Sequence, residues 1–206
     1  MADIVTSDFE YSNGEQLIII TTNILLMLKN RGLIKDINKF NITDIVKHIK
    51  KNVFYDINLD KQDRDGKNIY KIFIIDENID KIINKTSTAE YIAKYPNDHK
   101  IIIINSINKN IELQVLTYKF TEIFSKTYFM CNITEFRYVP QHILLTDEEK
   151  KQTLKEYGVP LNKYPKIMIT DPLAKYYNAH LHDLFKIIRP SSVAGETISY
   201  RYVING

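Results

Sequence analysis

Apolar residues recur along this chain in two rhythms, one near 3.6 residues and one of 2. In residues 15–30, Leu17, Ile20, Ile24 and Leu28 form a helical stripe. Lys29 and Arg31 suit the negative end of that helix, and Gly32 suits the position just past it. Residues 1–13 read as polar and loose. Asn41 caps a second helix, with Asp44 three residues on and Ile42, Ile45, Ile49 and Val53 facing inward. Residues 68–76 are rich in β-formers and predict a strand. Residues 77–95 read as mostly helical. The run Ile101–Ile104 predicts a strand buried on both faces. A helix over 111–118 follows, then extended segments over 119–125 and 127–132. Strands alternating with helices imply an α/β layered first region within an α+β chain.

Beyond Pro140 the pattern restarts. Thr146 with Glu149 is a capping box opening a helix that Gly158 closes. Residues 166–169 form a short strand. Asp171 is placed to cap a helix whose first position is Pro172, where a missing N–H costs nothing. A strand over 184–189 is expected to stop at Pro190. Gly195 falls in a turn, where positive φ is easiest for glycine. Residues 197–204 form the last strand, with Ile198, Tyr200 and Tyr202 on one face and Ser199 and Arg201 on the other. The expected division is 1–134 and 135–206.

The sequence has 206 residues with a formal net charge of +3, too small to imply nucleic-acid binding by itself. The lone Cys131 permits no disulfide within the chain, which favours a reducing compartment. No apolar run approaches the ~20 residues of a membrane span, and the first residues lack the basic-then-apolar pattern of a secretory signal. The excess of Ile, Asn and Lys fits an AT-rich genome.

The last third carries a resemblance. T-D-P-L-A-K-Y at 170–176, K-I-I-R-P-S at 186–191, A-G at 194–195 and Y-R at 200–201 resemble the fifth shared subunit of eukaryotic-type DNA-directed RNA polymerases and its archaeal counterpart. N-I-T-E at 132–135, V-P-Q-H at 139–142 and L-T-D-E-E-K at 145–150 extend it, and M-L-K-N-R-G-L at 27–33 is similar to the family's opening helix. The resemblance implies an N-terminal α/β jaw domain like restriction endonucleases in fold, beside incoming duplex DNA. It also implies a C-terminal assembly domain that docks on the largest polymerase subunit. Asp171, Pro172, Arg189, Pro190, Ser191, Gly195, Tyr200 and Arg201 are the implied partner-binding residues. By the same analogy the loop 105–110 approaches DNA, with Lys109 its one cation, able to reach phosphate but not read bases. This loop departs from the family's Thr-Pro-Ser-Ala-like segment. Asn178 and His182 stand where the family has glycines, and Ser192-Val193 replaces Glu-Thr. The implied location is the nucleus for a cellular protein, and a cytoplasmic viral factory or virion for a viral copy. Other polymerase subunits are the implied partners, with no membrane and no small-molecule substrate.

Candidate chemistry of the chain's own is sparse. D-R-D-G-K at 63–67 is similar to a calcium loop, but the register puts Lys61 first and Ile72 last, where a bidentate Glu is needed. A turn is the expectation. His180, His182 and Asp183 suggest a metal, yet a site wants three or four convergent ligands, so a solvated turn is expected. There is no phosphate loop and no nucleophile elbow. A stand-alone Mg²⁺-dependent nuclease is the alternative function. It needs a strand-borne carboxylate–lysine set, and neither D-H-K at 98–100 nor E-E-K at 148–150 is well placed for one. The expectation is therefore a chain with no catalytic residue, cofactor or metal.

Overall fold

The structure, a computed structural model, describes residues 11–50, 54–75, 87–115, 117–191 and 195–205. The chain divides into two compact units, Met1–Cys131 and Asn132–Gly206. Each combines helices with a four-stranded sheet. Among the described residues no helix is long and apolar enough to cross a membrane.

The first unit opens with helix α1, Asn13–Asn30. Ser12 and Glu15 form a reciprocal capping box, so the helix starts two residues before the expected residue 15. Helix α2, Ile42–Ile49, is capped by Asn41 and buries Ile45, Val46 and Ile49. Ile42 is only half-buried, and Val53 lies outside the described residues. Strands β1 (Tyr55–Asn58), β2 (Ile69–Ile74), β3 (His99–Ile104) and β4 (Thr121–Ser125) lie in the order β1-β2-β3-β4. β1 is antiparallel to β2, and β2, β3 and β4 are parallel.

Strand β3 is buried along its whole length, as expected for a central parallel strand covered on both faces. Its residues alternate between those faces. Ile102 and Ile104 join Ile123, Tyr91, Ile92, Ile111 and Val115 in one cluster. The last four come from α3 (Ser87–Lys94) and α4 (Lys109–Val115). The helix expected over 111–118 is therefore two residues earlier at its start. Asn108 moves that start, because its side chain accepts the Ile111 N–H at 2.9 Å. The first part of the stretch expected to be helical, 77–86, lies outside the described residues. The extended segment expected over 127–132 is not one: Lys126–Phe129 is a 3₁₀ turn capped by Ser125. Neither β1 nor the strand at 141–144 was expected.

The second unit holds β5 (Gln141–Leu144), α5 (Asp147–Tyr157), β6 (Lys166–Met168), α6 (Pro172–Tyr176), β7 (Leu184–Ser191) and β8 (Gly195–Ile204). Its sheet runs β5-β7-β8-β6. The capping box of Thr146 and Glu149 and the left-handed Gly158 bound α5. Asn178 and His182 both take positive φ, 48° and 69°. These are the two places where the resemblance calls for glycine, and Asn and His tolerate that conformation better than most residues.

Pro190 does not stop β7, which continues to Ser191. The hydrogen-bond parity explains why. Val203 N–H donates inward to Asp183, while Tyr202 N–H donates outward to Pro165. Odd residues of β8 therefore face β7, and even ones face away. Pro190 pairs with the even Glu196, so its missing N–H lies on the far side of β7. There β5 has already ended, opposite Ile188. No ladder bond is lost.

Candidate functional site

The sheet of the second unit sorts its side chains onto two faces. On one, Phe185, Ile187 and Val203 pack with Ile167, Ala174 and Ala179. On the other, Leu184 and Tyr202 pack with Leu145, flanked by Tyr164 and Tyr200. The first face also carries both arginines of the hairpin. Arg201 pairs with Phe185 and is half-buried, and Arg189 pairs with Thr197 and is exposed. Neither face is wholly free, since apolar clusters occupy both near the base of the hairpin. What remains open is the hairpin end, where Arg189, Pro190, Glu196, Thr197 and Ile198 are all exposed.

Across β7 from Arg201 lies His142 of β5, paired with Ile187. Its Nδ1 is 2.7 Å from the Pro140 carbonyl oxygen, and its ring meets Phe185 edge-on. Burial pushes its pKa below the ordinary value, and the nearby Arg201 and Arg189 push the same way, against the Pro140 carbonyl and the Asp171 carboxylate. The imidazole thus lies in the field of two guanidinium groups and one carboxylate. The sequence marked His142 only as part of V-P-Q-H. Its place in a site became visible once β5 was paired to β7.

The other expected partner-binding residues separate. Asp171 uses its carboxylate to accept the Leu173 N–H at 2.8 Å, with Pro172 at the first position of α6. Ser191 and Gly195 pair at the hairpin end, Gly195 with φ of 72°. Ser192 and Val193 lie outside the described residues. Tyr200 lies on the opposite face from the arginines, edge-on to Tyr157 and Tyr164. Burial and Tyr157 push its hydroxyl up to about 12. His180 and His182 are exposed, but Asp183 beside them is buried and accepts the His180 N–H at 2.7 Å. This carboxylate closes a turn rather than facing solvent.

In the first unit Lys109 is exposed, but it is the first residue of α4 rather than part of a loop. The lysine of D-H-K is spoken for: Lys100 Nζ is buried and donates to the carbonyls of Tyr95 and Asp98 at 2.6 and 2.7 Å. Burial pushes its pKa down. Asp98 and Asp56 both face the ammonium of Lys71, at 3.8 and 2.9 Å. Phe54 and Tyr95 also lie against that ammonium. Asp98, the carboxylate of D-H-K, thus shares the Lys71 ammonium with Asp56. Glu148 and Lys150 lie on α5, Glu148 exposed in its first turn.

Residues 131–203 match the family described as RNA polymerase Rpb5, C-terminal domain. The chain is 48% identical over 73 residues to DNA-directed RNA polymerase subunit Rpo5 of Methanothrix thermoacetophila, covering 94% of that protein and 35% of this one. It is 41% identical over 83 residues to the DNA-directed RNA polymerases I, II, and III subunit of Dictyostelium discoideum. That match covers 40% of this chain, and the chain spans 42% of the Dictyostelium protein's length. A similarity of 28% identity over 200 residues, 94% of each chain, links it to DNA-directed RNA polymerase subunit 5 of Acanthamoeba polyphaga mimivirus.

Proposed function

This chain belongs to the Rpb5 family of RNA polymerase subunits, and from that premise we propose that it is a non-catalytic structural subunit of a multisubunit DNA-directed RNA polymerase. Polymerisation chemistry then belongs to the two largest subunits. Residues 135–206 act as the assembly domain, docking on the largest subunit through the hairpin end of the sheet. Residues 1–134 act as a jaw domain, with a restriction-endonuclease-like fold, beside downstream duplex DNA. Lys109, exposed at the start of α4, is the candidate phosphate contact. The protein works in the nucleus if cellular, and in a viral factory or virion if viral.

The observation that carries the docking proposal is the shared face of Arg189 and Arg201 within the best-matched stretch of the chain. Arginine's planar fork holds carboxylates and carbonyls in fixed geometry, which favours it at interfaces. Asp171, Pro172, Pro190, Ser191 and Gly195 frame that face or its hairpin, while Tyr200 supports the strand from behind.

The test is affinity for the co-purifying largest subunit. Arg201→Ala, at a half-buried position, should cost ~2–5 kcal/mol if its guanidinium is paired in the complex, which is ~30-fold to several-thousand-fold. Arg189→Ala should cost less if it lies at the rim. Circular dichroism must show both variants folded. Binding of both within about twofold of wild type, ~0.4 kcal/mol, would move the attachment site elsewhere.

A further inference from the structure

We propose that Asp63, Asp65 and His99 form a binding site for one zinc-class divalent cation. One ligand atom from each lies within 4.8 Å of the other two. The aspartates come from the β1–β2 loop, and His99 opens β3.

A second observation points into the same space. Asp63 Oδ2 and His99 Nδ1 are shielded from solvent, and neither has a hydrogen-bond partner. Their side chains are 6% and 2% exposed. They face each other at 3.2 Å, an ion pair when the imidazole carries its second proton and a contact without hydrogen-bond geometry when it does not. Buried polar atoms are nearly always satisfied, so two adjacent exceptions require an explanation. A cation on the imidazole lone pair supplies it. With metal–ligand distances of ~2.0–2.2 Å, atoms 3.2 Å apart subtend roughly 100° at the metal, between octahedral and tetrahedral angles.

The surrounding groups leave these two atoms as the available ligands. His99 Nε2 lies 2.8 Å from Glu122 Oε1, so an N–H there leaves Nδ1 as the lone pair. Glu122 is in turn held by Arg31 at 2.7 and 2.6 Å. Carboxylates orient metal-binding histidines in this way. The Tyr70 ring stacks on the imidazole, 3.9 Å between centroids and 7° between planes, fixing its tilt. Asp63 Oδ1 is occupied by the N–H groups of Asp65 and Lys67, and the Tyr70 hydroxyl also bears on this carboxylate, so Oδ2 is the oxygen turned to His99. Asp65 is exposed, so it completes the set from the solvent side. An imidazole with two carboxylates favours zinc over calcium or magnesium, which want all-oxygen shells. The bound ion would pin the β1–β2 loop to the first residue of β3.

The competing arrangement is a proton on Nδ1, making an imidazolium between Asp63 and Glu122. Burial opposes that charge, but the two carboxylates raise the His99 pKa overall, so protons and metal compete for one atom. The full chain, stripped with a chelator, should be titrated with Zn²⁺ at about pH 8 by calorimetry, with melting followed in parallel. The proposal predicts one Zn²⁺ per chain, a higher melting temperature, and loss of Nδ1 lone-pair character in the His99 nitrogen spectrum. Asp65→Asn should weaken binding at least ~10-fold and leave the metal-free melting temperature unchanged. His180→Ala and His182→Ala should not affect binding. Absence of saturable binding overturns the site. So does binding that survives Asp65→Asn or disappears with His180→Ala or His182→Ala, and the cluster is then an ion pair only.

Discussion

Arg31 donates both arms of its guanidinium to the carboxylate of Glu122, at 2.7 and 2.6 Å, across 91 residues of sequence. The pair joins the end of α1 to β4. The side chains are 4% and 11% exposed, so little water compensates if one partner is lost. Burial raises the energy of the Glu122 carboxylate, but Arg31 and His99 still hold its pKa down at about 2. Arg31→Met should therefore destabilise the chain by ~3–5 kcal/mol, because it strips a buried carboxylate of its guanidinium and leaves His99 to hold it. The double variant Arg31→Met with Glu122→Leu should recover part of that loss. Urea unfolding of the three proteins checks it. A single-variant loss below ~1 kcal/mol would mean the pair is no better than a surface ion pair.

Asn178 and His182 take left-handed backbone without being glycine. His182→Gly should stabilise the second unit by up to ~1 kcal/mol, as relief of the Cβ clash outweighs the added unfolded-state freedom. Asn178→Gly should change stability by less, because Asn already tolerates the conformation. Melting temperatures of the two variants give the comparison, and a His182→Gly variant less stable than wild type would show that the imidazole contributes more than its backbone costs.

His142 makes the second unit sensitive to acid. Its folded pKa lies below its ordinary value of 6.5, chiefly through burial. The unfolded chain therefore binds the proton more readily, so the contribution of this group is present above that value and is lost as pH falls through the folded pKa. Wild type should lose stability below about pH 6.5 more steeply than His142→Phe. Denaturation midpoints across the acid range are the measurement, and parallel curves would remove His142 as the cause.

The second unit has its own apolar clusters and its own caps. A fragment of residues 132–206 should fold without the rest of the chain, although its size leaves little margin. Cooperative melting and a dispersed amide spectrum are the expected results. A fragment that melts without cooperativity would place the boundary elsewhere.

Local signals carried much of the second unit. Thr146 with Glu149, Asp171 with Pro172, and Gly158 each announce a helix end through short-range chemistry. The apolar run of β3 revealed a strand covered on both sides. Strands β1 and β5 gave no such signal, because four residues with mixed polarity form a strand only when a neighbour pairs with them. Pro190 misled because its effect depends on which side of β7 its nitrogen faces, and that parity is set by β8. Arg31, His99 and Glu122 come from three distant segments, so no spacing could have joined them. His142 likewise became part of the arginine face only through cross-strand pairing.

The unequal strand lengths at the β8 edge carry a cost for the free protein. β6 pairs with β8 only from Tyr202 onward, so the outward peptide groups of Glu196 and Ile198 lie past its end. Ile198 is 47% exposed there, next to threonine and serine, with no lysine to discourage pairing. An unpaired edge is a template for another extended chain, and among the described residues Glu196 is the one charge placed to oppose this. If polymerase subunits cover this edge, solubility of the chain on expression should rise when they are made alongside it in matching amounts.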